Sequence, residues 1–267
     1  MNTKTGLLLI VLLTLITACG AGTPTTMIAP ATTPRSSPAL MPSSEGQMPC
    51  DHPYFPIRPG AYWRYSLSMI ACDGDCEDLG PELEWRAIDI QGTTDRANAT
   101  ILQDWGTITS IFTTDCDDRS VTTPLPLPSP GYPPCGLFLN HVDLLVPGYS
   151  WNGPAESSRG SVGGVAYSSA HTVTASSLSM IAGQRVNTLH ISRVHHVDLL
   201  PGLGGVTFYN RDTVHTTQTS TIDLVRGIGI VRMTTTINRS AQMYPDPNPT
   251  LTSATLVAEL TEYHIPP

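Results

Sequence analysis

Alternation of apolar and polar residues with a period of two is the feature that most constrains the fold of this chain. After the turn Arg58-Pro59-Gly60, the side chains of Trp63, Tyr65, Leu67 and Met69 fall on one face, with polar residues between them. Alternation of this kind, with aromatic residues on the apolar face, predicts a β-strand with one buried side. Beyond the apolar run at the N-terminus, no segment sustains the helical period of about 3.6 residues. The sequence therefore predicts an all-β fold.

Nine further segments are rich in Thr, Val and Ile, which favour strands, and turn residues separate them. They are residues 83–90, 97–102, 107–113, 138–146, 162–174, 185–199, 206–219, 229–237 and 254–264. Because consecutive strands usually lie next to each other, we expect a single antiparallel meander. Such a meander would form a curved sheet, a half-barrel or a sandwich.

The N-terminus predicts export and a lipid anchor. Lys4 precedes an apolar run that is too short to span a bilayer as a helix, which is typical of a signal peptide. The run ends in Ile16-Thr17-Ala18-Cys19, which resembles the lipobox of bacterial lipoproteins. That resemblance implies that Cys19 becomes the acylated first residue of the mature chain. The expected location is then the cell membrane or envelope surface, outside the cytoplasm, with the membrane as a partner through the lipid.

Composition divides the chain into three parts. Residues 1–18 are the expected signal peptide. Residues 19–49 contain the lipidated cysteine and a segment rich in Pro, Thr and Ser, which predicts a disordered tether. Residues 50–267 are the expected antiparallel β domain.

Charge excludes several kinds of chemistry. The net charge is -8, and Lys4 is the only lysine, so the mature chain has none. A Schiff-base lysine, a phosphate-binding Gly-Lys-Ser/Thr loop and a Ser-x-x-Lys acylase are therefore all excluded. An acidic surface without lysine also argues against nucleic acid, because neutralising phosphates supplies much of that affinity.

Three short motifs resemble a loose group of uncharacterised bacterial secreted lipoproteins. Residues 55–65 fit its opening Phe-Pro-x-x-x-Gly-x-x-Trp-x-Tyr, residues 147–151 its central Pro-Gly-x-x-Trp, and residues 227–232 its closing Gly-x-Gly-x-Val-Lys/Arg. The resemblance implies a curved antiparallel sheet, of the half-barrel kind found in lipoprotein carriers, and no established reaction. The insertion at 123–134 departs from the usual compactness of the group.

Cysteines after the lipobox predict disulfides, because outside the cytoplasm cysteines are usually oxidised. The candidates are Cys50, Cys72, Cys76, Cys116 and Cys135. A bridge between Cys116 and Cys135 would close the Pro-rich loop. Cys50 would then pair with Cys72 or Cys76. Zinc binding by Cys72-x-x-x-Cys76 lacks a second pair of ligands, and the connectivity stays open at this point.

An acidic segment and a group of histidines are candidate metal sites. Carboxylates occupy positions 1, 3, 5 and 12 of a twelve-residue loop, a spacing that suits calcium, although Pro81 and a missing glycine also fit a plain acidic hairpin loop. These carboxylates are Asp73, Asp75, Glu77 and Glu84. The second candidate group shares one face of neighbouring strands and could hold a metal or form a catalytic group, or else belong to a solvated sheet face. It consists of His190, His196, Asp198 and His215.

Signatures of a catalytic nucleophile are missing from the sequence, with neither a Gly-x-Ser-x-Gly elbow nor a His-Glu-x-x-His helix. We therefore expect no catalytic residues, and no cofactor unless the acidic segment binds calcium. The leading hypothesis is a non-enzymatic lipoprotein domain that binds an apolar ligand or an envelope partner. Its expected ligand face is the set Trp63, Tyr65, Leu67 and Met69. The alternatives are an envelope hydrolase or metal-dependent enzyme that uses the histidine and aspartate group, and a structural or adhesive surface module.

Overall fold

The computed structural model describes residues 50–73, 80–93, 96–106, 109–117, 120–123, 125, 137–153, 156–160, 163–181, 184–200, 213–242 and 248–267. The predictions of a signal peptide, a lipidated Cys19 and a tether therefore lie outside the described residues. The same holds for four of the candidate site residues, namely Asp75, Cys76, Glu77 and Cys135.

Strands dominate the described residues, which contain no α-helix. The fifteen strands are β1 (Asp51–His52), β2 (Phe55–Pro56), β3 (Tyr62–Asp73), β4 (Glu82–Gly92), β5 (Arg96–Asp104), β6 (Thr109–Asp117), β7 (Val121–Thr123), β8 (Leu137–Leu139), β9 (Ser150–Asn152), β10 (Glu156–Gly160), β11 (Gly163–Ile181), β12 (Gln184–Leu200), β13 (Thr213–Val225), β14 (Gly229–Gln242) and β15 (Thr250–His264). This confirms the all-β prediction. No helix among these residues is long and apolar enough to cross a membrane.

One curled antiparallel sheet, a half-barrel, contains all of these strands except β1 and β2. Its order is β10-β11-β12-β13-β14-β15-β3-β4-β5-β6-β7-β8, with β9 paired to β11. The last strand, β15, thus pairs with the first long strand, β3. At the other side of the sheet, the Trp151 indole N–H of β9 donates to the Phe138 carbonyl of β8 at 2.8 Å. The expected meander is present, and its first and last long strands pair with each other.

Alternating burial along the strands explains why the sheet curls. In β5 every second residue is buried, and β3 buries Trp63 and Tyr65 in the same way. An antiparallel sheet with one apolar face must cover that face, and curling brings the apolar sides of distant strands into contact. Trp85 on β4 joins this core, with its ring 4.9 Å from that of Tyr65.

The short hairpin of β1 and β2 packs against this core. Phe55 stacks on Trp63 with ring centroids 4.8 Å apart and meets Trp85 edge-on at 6.2 Å. Gly229 of β14 comes so close that a Cβ atom there would lie 2.9 Å from the Phe55 ring. The hairpin therefore fills this end of the interior with the chain's own aromatic side chains.

The disulfide expected between Cys116 and Cys135 is wrong, because Cys116 is bonded to Cys50. The expected pairing of Cys50 with Cys72 or Cys76 is wrong for the same reason. Their Cα atoms are 5.1 Å apart, and both residues are buried. Cys50 directly precedes the β1–β2 hairpin, and Cys116 lies near the end of β6, so packing of the hairpin brings the two together. Cys72 is also disulfide-bonded.

The strand predicted over 138–146 is wrong beyond Leu139. Residues Val142–Leu144 form a 3-10 turn instead. The His141 ring accepts a hydrogen bond from the backbone N–H of Asp143 at 3.4 Å, and the Leu144 N–H donates to the His141 carbonyl at 3.0 Å. These local bonds compete with pairing to a neighbouring strand.

Candidate functional site

The apolar face predicted as a ligand wall is largely part of the core. Trp63 and Tyr65 are fully buried, and their polar atoms donate to the backbone carbonyls of Ile228 at 2.6 Å and Ile230 at 3.1 Å. Leu67 is partly buried against the same core, while Met69 is 38% exposed. Trp63 and Tyr65, the two aromatic residues of the predicted ligand face, are therefore packed in the core.

A different set of side chains forms a buried polar cluster on the inner face of β11, β12 and β13. The inner polar cluster consists of His171, Arg193, His195, Gln218 and Ser220, all buried. Arg193 lies directly opposite His171 on one side and Ser220 on the other, and His195 lies opposite Gln218. Arg193 is 1% exposed.

The cluster continues the rows of the apolar core along the strands. His171 is two residues from Val173, and Arg193 is two residues from Ile191, so each shares a face with a core residue. The period of two along β12 predicts the burial of Arg193, because Ile191, Arg193 and His195 are consecutive residues of one face. The sequence interpretation placed His195 on this face and missed Arg193.

Both histidines of the cluster are neutral at physiological pH. Burial, and secondly the charge of Arg193, lowers the pKa of His171 to about 3. The same causes in the same order lower the pKa of His195 to about 3. Arg193 is therefore the cluster's permanent charge, and each neutral ring presents one donor and one acceptor nitrogen. Neither ring nitrogen of His171 contacts a hydrogen-bonding side chain among the described residues.

Aromatic rings border the cluster on the side of β9. Trp151 stacks on His171 with centroids 5.0 Å apart and planes at 9°, and Tyr149 stacks on Trp151 at 5.4 Å and 19°. Asn140 donates to the Tyr149 hydroxyl at 2.9 Å, which ties the stack to the segment after β8. The stack therefore packs against the His171 ring and holds it next to Arg193, which lies opposite His171 on β12.

The histidine and aspartate group predicted from the sequence does not converge on one point. Asp198 accepts from the His215 ring at 2.7 Å, whereas His196 contacts the Thr217 hydroxyl at 3.1 Å. His190 lies six residues from His196 along β12, a separation of roughly 20 Å at strand spacing. The described residues contain no group of three or more metal ligands.

His190 instead joins two residues that the sequence interpretation missed. Its Nδ1 lies 2.7 Å from Asp223 Oδ1, and its Nε2 lies 2.7 Å from Ser177 Oγ. The three side chains come from β11, β12 and β13 and lie on the outer face of the sheet. Ser177 is exposed, and the other two side chains are each 32% exposed.

Of the predicted calcium ligands, Asp73 ends β3 and Glu84 lies within β4. Glu84 accepts hydrogen bonds from Arg64 at 2.8 Å and Arg86 at 2.6 Å. Burial acts to raise the pKa of Glu84, but the bonds from the two guanidinium groups outweigh it, so this pKa is lowered. Both carboxylate oxygens of Glu84 already have cationic partners, which disfavours a role for it in binding calcium.

Comparisons of the chain with models of protein families, with curated proteins and with solved structures found no match. The resemblance to secreted lipoproteins therefore stays a prediction.

Proposed function

We propose that this chain is a lipid-anchored extracytoplasmic β domain that binds the oxyanion group of a small ligand at the inner polar cluster. One observation carries the proposal: a guanidinium, that of Arg193, is buried in the interior of the half-barrel between His171 and Ser220. A buried arginine is well suited to hold a carboxylate, sulfate or phosphate, because its planar donors match two oxygens at once.

The neighbours of Arg193 can add hydrogen bonds to such an anion. His171 and Ser220 lie directly opposite Arg193 on the two adjacent strands. The neutral His171 ring has one N–H donor, and the Ser220 hydroxyl has another.

This proposal changes the ligand class expected from the sequence. The end of the interior that was expected to hold an apolar ligand contains Phe55 stacked on Trp63. The inner polar cluster offers a buried guanidinium instead. The anchor at Cys19 remains as expected from the lipobox and would hold the domain at the membrane surface.

Isothermal titration calorimetry of the full-length protein in detergent tests the proposal, with acetate, succinate, sulfate and phosphate as probes. We expect saturable binding of at least one probe, weakened roughly 10- to 100-fold in Arg193→Gln, since a hydrogen bond to a charged group contributes about 1.5–3 kcal/mol. Arg185→Gln is the matched control, because Arg185 is an exposed residue on the same strand.

Two results would contradict the proposal. One is the absence of saturable binding by all four anions, and the other is equal affinity in the wild type and Arg193→Gln. Arg193→Lys keeps the charge without the planar group, so it serves as a milder variant if the glutamine variant does not fold. We expect its affinity to lie between those of the wild type and Arg193→Gln.

A further inference from the structure

Ser177, His190 and Asp223 form a continuous chain of hydrogen bonds across three neighbouring strands. Asp223 is directly opposite His190, and Ser177 reaches the same ring from β11. An ionised carboxylate only accepts hydrogen bonds, so His190 Nδ1 carries the proton that it shares with Asp223. His190 Nε2 is then the acceptor, and the Ser177 hydroxyl donates to it. This is the order of groups that activates a serine for nucleophilic attack.

The ladder of the sheet holds the three groups in place. Side chains on adjacent strands are fixed relative to each other by the backbone pairing, so the geometry does not depend on a mobile loop. The Thr174 hydroxyl adds a hydrogen bond at 3.2 Å to the His190 carbonyl, which ties this part of β12 to β11. The Ser177 side chain remains exposed, so a substrate in solution can reach it.

Among the described residues, one backbone edge of strand β11 is unpaired next to Ser177. Its pairing with β9 and β10 covers residues up to Thr172, and no described strand pairs with its other edge from Ala175 to Ile181. Ile181 and Gln184 close the connection to β12, and such a closing pair is hydrogen-bonded. Hydrogen-bonded and non-hydrogen-bonded pairs alternate along the two strands, so Leu178, three residues before Ile181, belongs to a non-hydrogen-bonded pair. Its N–H therefore points away from β12, towards the open edge of β11. It is the N–H of the residue after Ser177, a position from which a developing oxyanion can be stabilised.

We propose that Ser177, His190 and Asp223 form a hydrolytic site for small carboxylic esters. Ser177 Oγ attacks the ester carbonyl carbon and forms a C–O bond, while its proton passes to His190 Nε2. The bond to the leaving alcohol then breaks, and the same proton passes to the leaving oxygen. Water next attacks the acyl-serine with His190 as base, which releases the carboxylic acid and restores the Ser177 hydroxyl. Asp223 holds the ring and stabilises its charged form throughout.

This activity is independent of anion binding at the inner polar cluster, because the two groups lie on opposite faces of the sheet. Ser177 is exposed, and the described residues around it offer few contacts for a large substrate. The expected substrates are therefore small esters with good leaving groups.

Labelling with a fluorophosphonate probe tests the site, with the full-length protein in detergent and peptide mass mapping as the readout. We expect one covalent adduct on the peptide that contains Ser177, lost in Ser177→Ala and reduced at least tenfold in rate in Asp223→Asn. Ser179→Ala is the matched control, since Ser179 lies two residues further along the same face. Its labelling should equal that of the wild type.

Hydrolysis of p-nitrophenyl acetate gives a second readout. An exposed histidine alone can cleave this ester slowly, so the relevant quantity is the rate that Ser177→Ala removes. We expect that variant to lose most of the rate and Ser179→Ala to lose none. Absence of an adduct on the wild type, an adduct on another residue, or an unchanged rate in Ser177→Ala would each overturn the proposal. Arg193→Gln should keep both readouts, which separates this test from that of anion binding.

Discussion

Lowering the pH from 7 to 5 should destabilise this protein through its buried histidines. Burial lowers the pKa of His52 to about 4, and burial with the charge of Arg193 lowers the pKa of His171 and His195 to about 3. In the unfolded chain each of these groups titrates near about 6.5. Between the two values the unfolded state binds protons that the folded state does not, so stability falls as the pH falls.

The magnitude follows from that difference. Each proton bound only by the unfolded state changes stability by about 1.4 kcal/mol per pH unit. At pH 5, which is about 1.5 units below the unfolded value, each histidine costs about 2 kcal/mol, and the three together cost up to about 6 kcal/mol. This is a large part of the roughly 5–15 kcal/mol that stabilises a typical domain. Glu84, whose pKa is lowered, loses its contribution only at more acidic pH.

Urea unfolding followed by tryptophan fluorescence at pH 7, 6 and 5 and constant ionic strength measures this effect. The double variant His171→Gln/His195→Gln should lose about two thirds of the pH slope, whatever its stability at pH 7, because one of three histidines remains. His264→Gln, at an exposed position, should keep the full slope. Wild-type stability that is flat between pH 7 and 5, or a slope unchanged in the double variant, would contradict this role of the buried histidines.

Other predictions concern the fold and the anchor. Cys50→Ala/Cys116→Ala opens a crosslink across 66 residues and should destabilise by about 4 kcal/mol, seen as a lower urea midpoint. An unchanged midpoint would mean that this bridge is not formed. Gly229→Ala places a methyl group 2.9 Å from an aromatic ring at a positive φ of 119°, and should cost about 1–3 kcal/mol more than Gly227→Ala, where φ is also positive but nothing lies within 4 Å. Equal melting temperatures for the two would count against the position of the β1–β2 hairpin. Metabolic labelling with a fatty acid should mark the wild type and not Cys19→Ser. If neither form were labelled, the prediction of a lipid anchor at Cys19 would be wrong.

The sequence predicted the strands well because one-sided burial imposes a period of two. Residues 83–90 and 229–237 were expected as strands, and the structure has Glu82–Gly92 and Gly229–Gln242 there. Pairing of β15 with β3 could not be read from the sequence, since period two says nothing about which distant strands meet. The bridge between Cys50 and Cys116 is hidden for the same reason, because it depends on where a short hairpin packs.

The candidate site residues were harder to predict from the sequence than the strands. Arg193 lies on an apolar face that alternation identifies, so its burial was open to prediction. Ser177 was not, because a one-residue bulge between Val173 and Ala175 shifts the register of β11 against β12. Without the bulge, alternation from the buried Val173 would place Ser177 on the inner face, away from His190. One extra residue in a strand thus decides whether these groups meet.

Anomalous diffraction from crystals soaked in selenate tests the proposed anion site most directly. We expect a selenium peak within hydrogen-bonding distance of the Arg193 guanidinium, between His171 and Ser220, and its loss in Arg193→Gln crystals. Selenium peaks only at exposed arginines such as Arg185, or a side-chain carboxylate of the chain already bound to the Arg193 guanidinium, would contradict it.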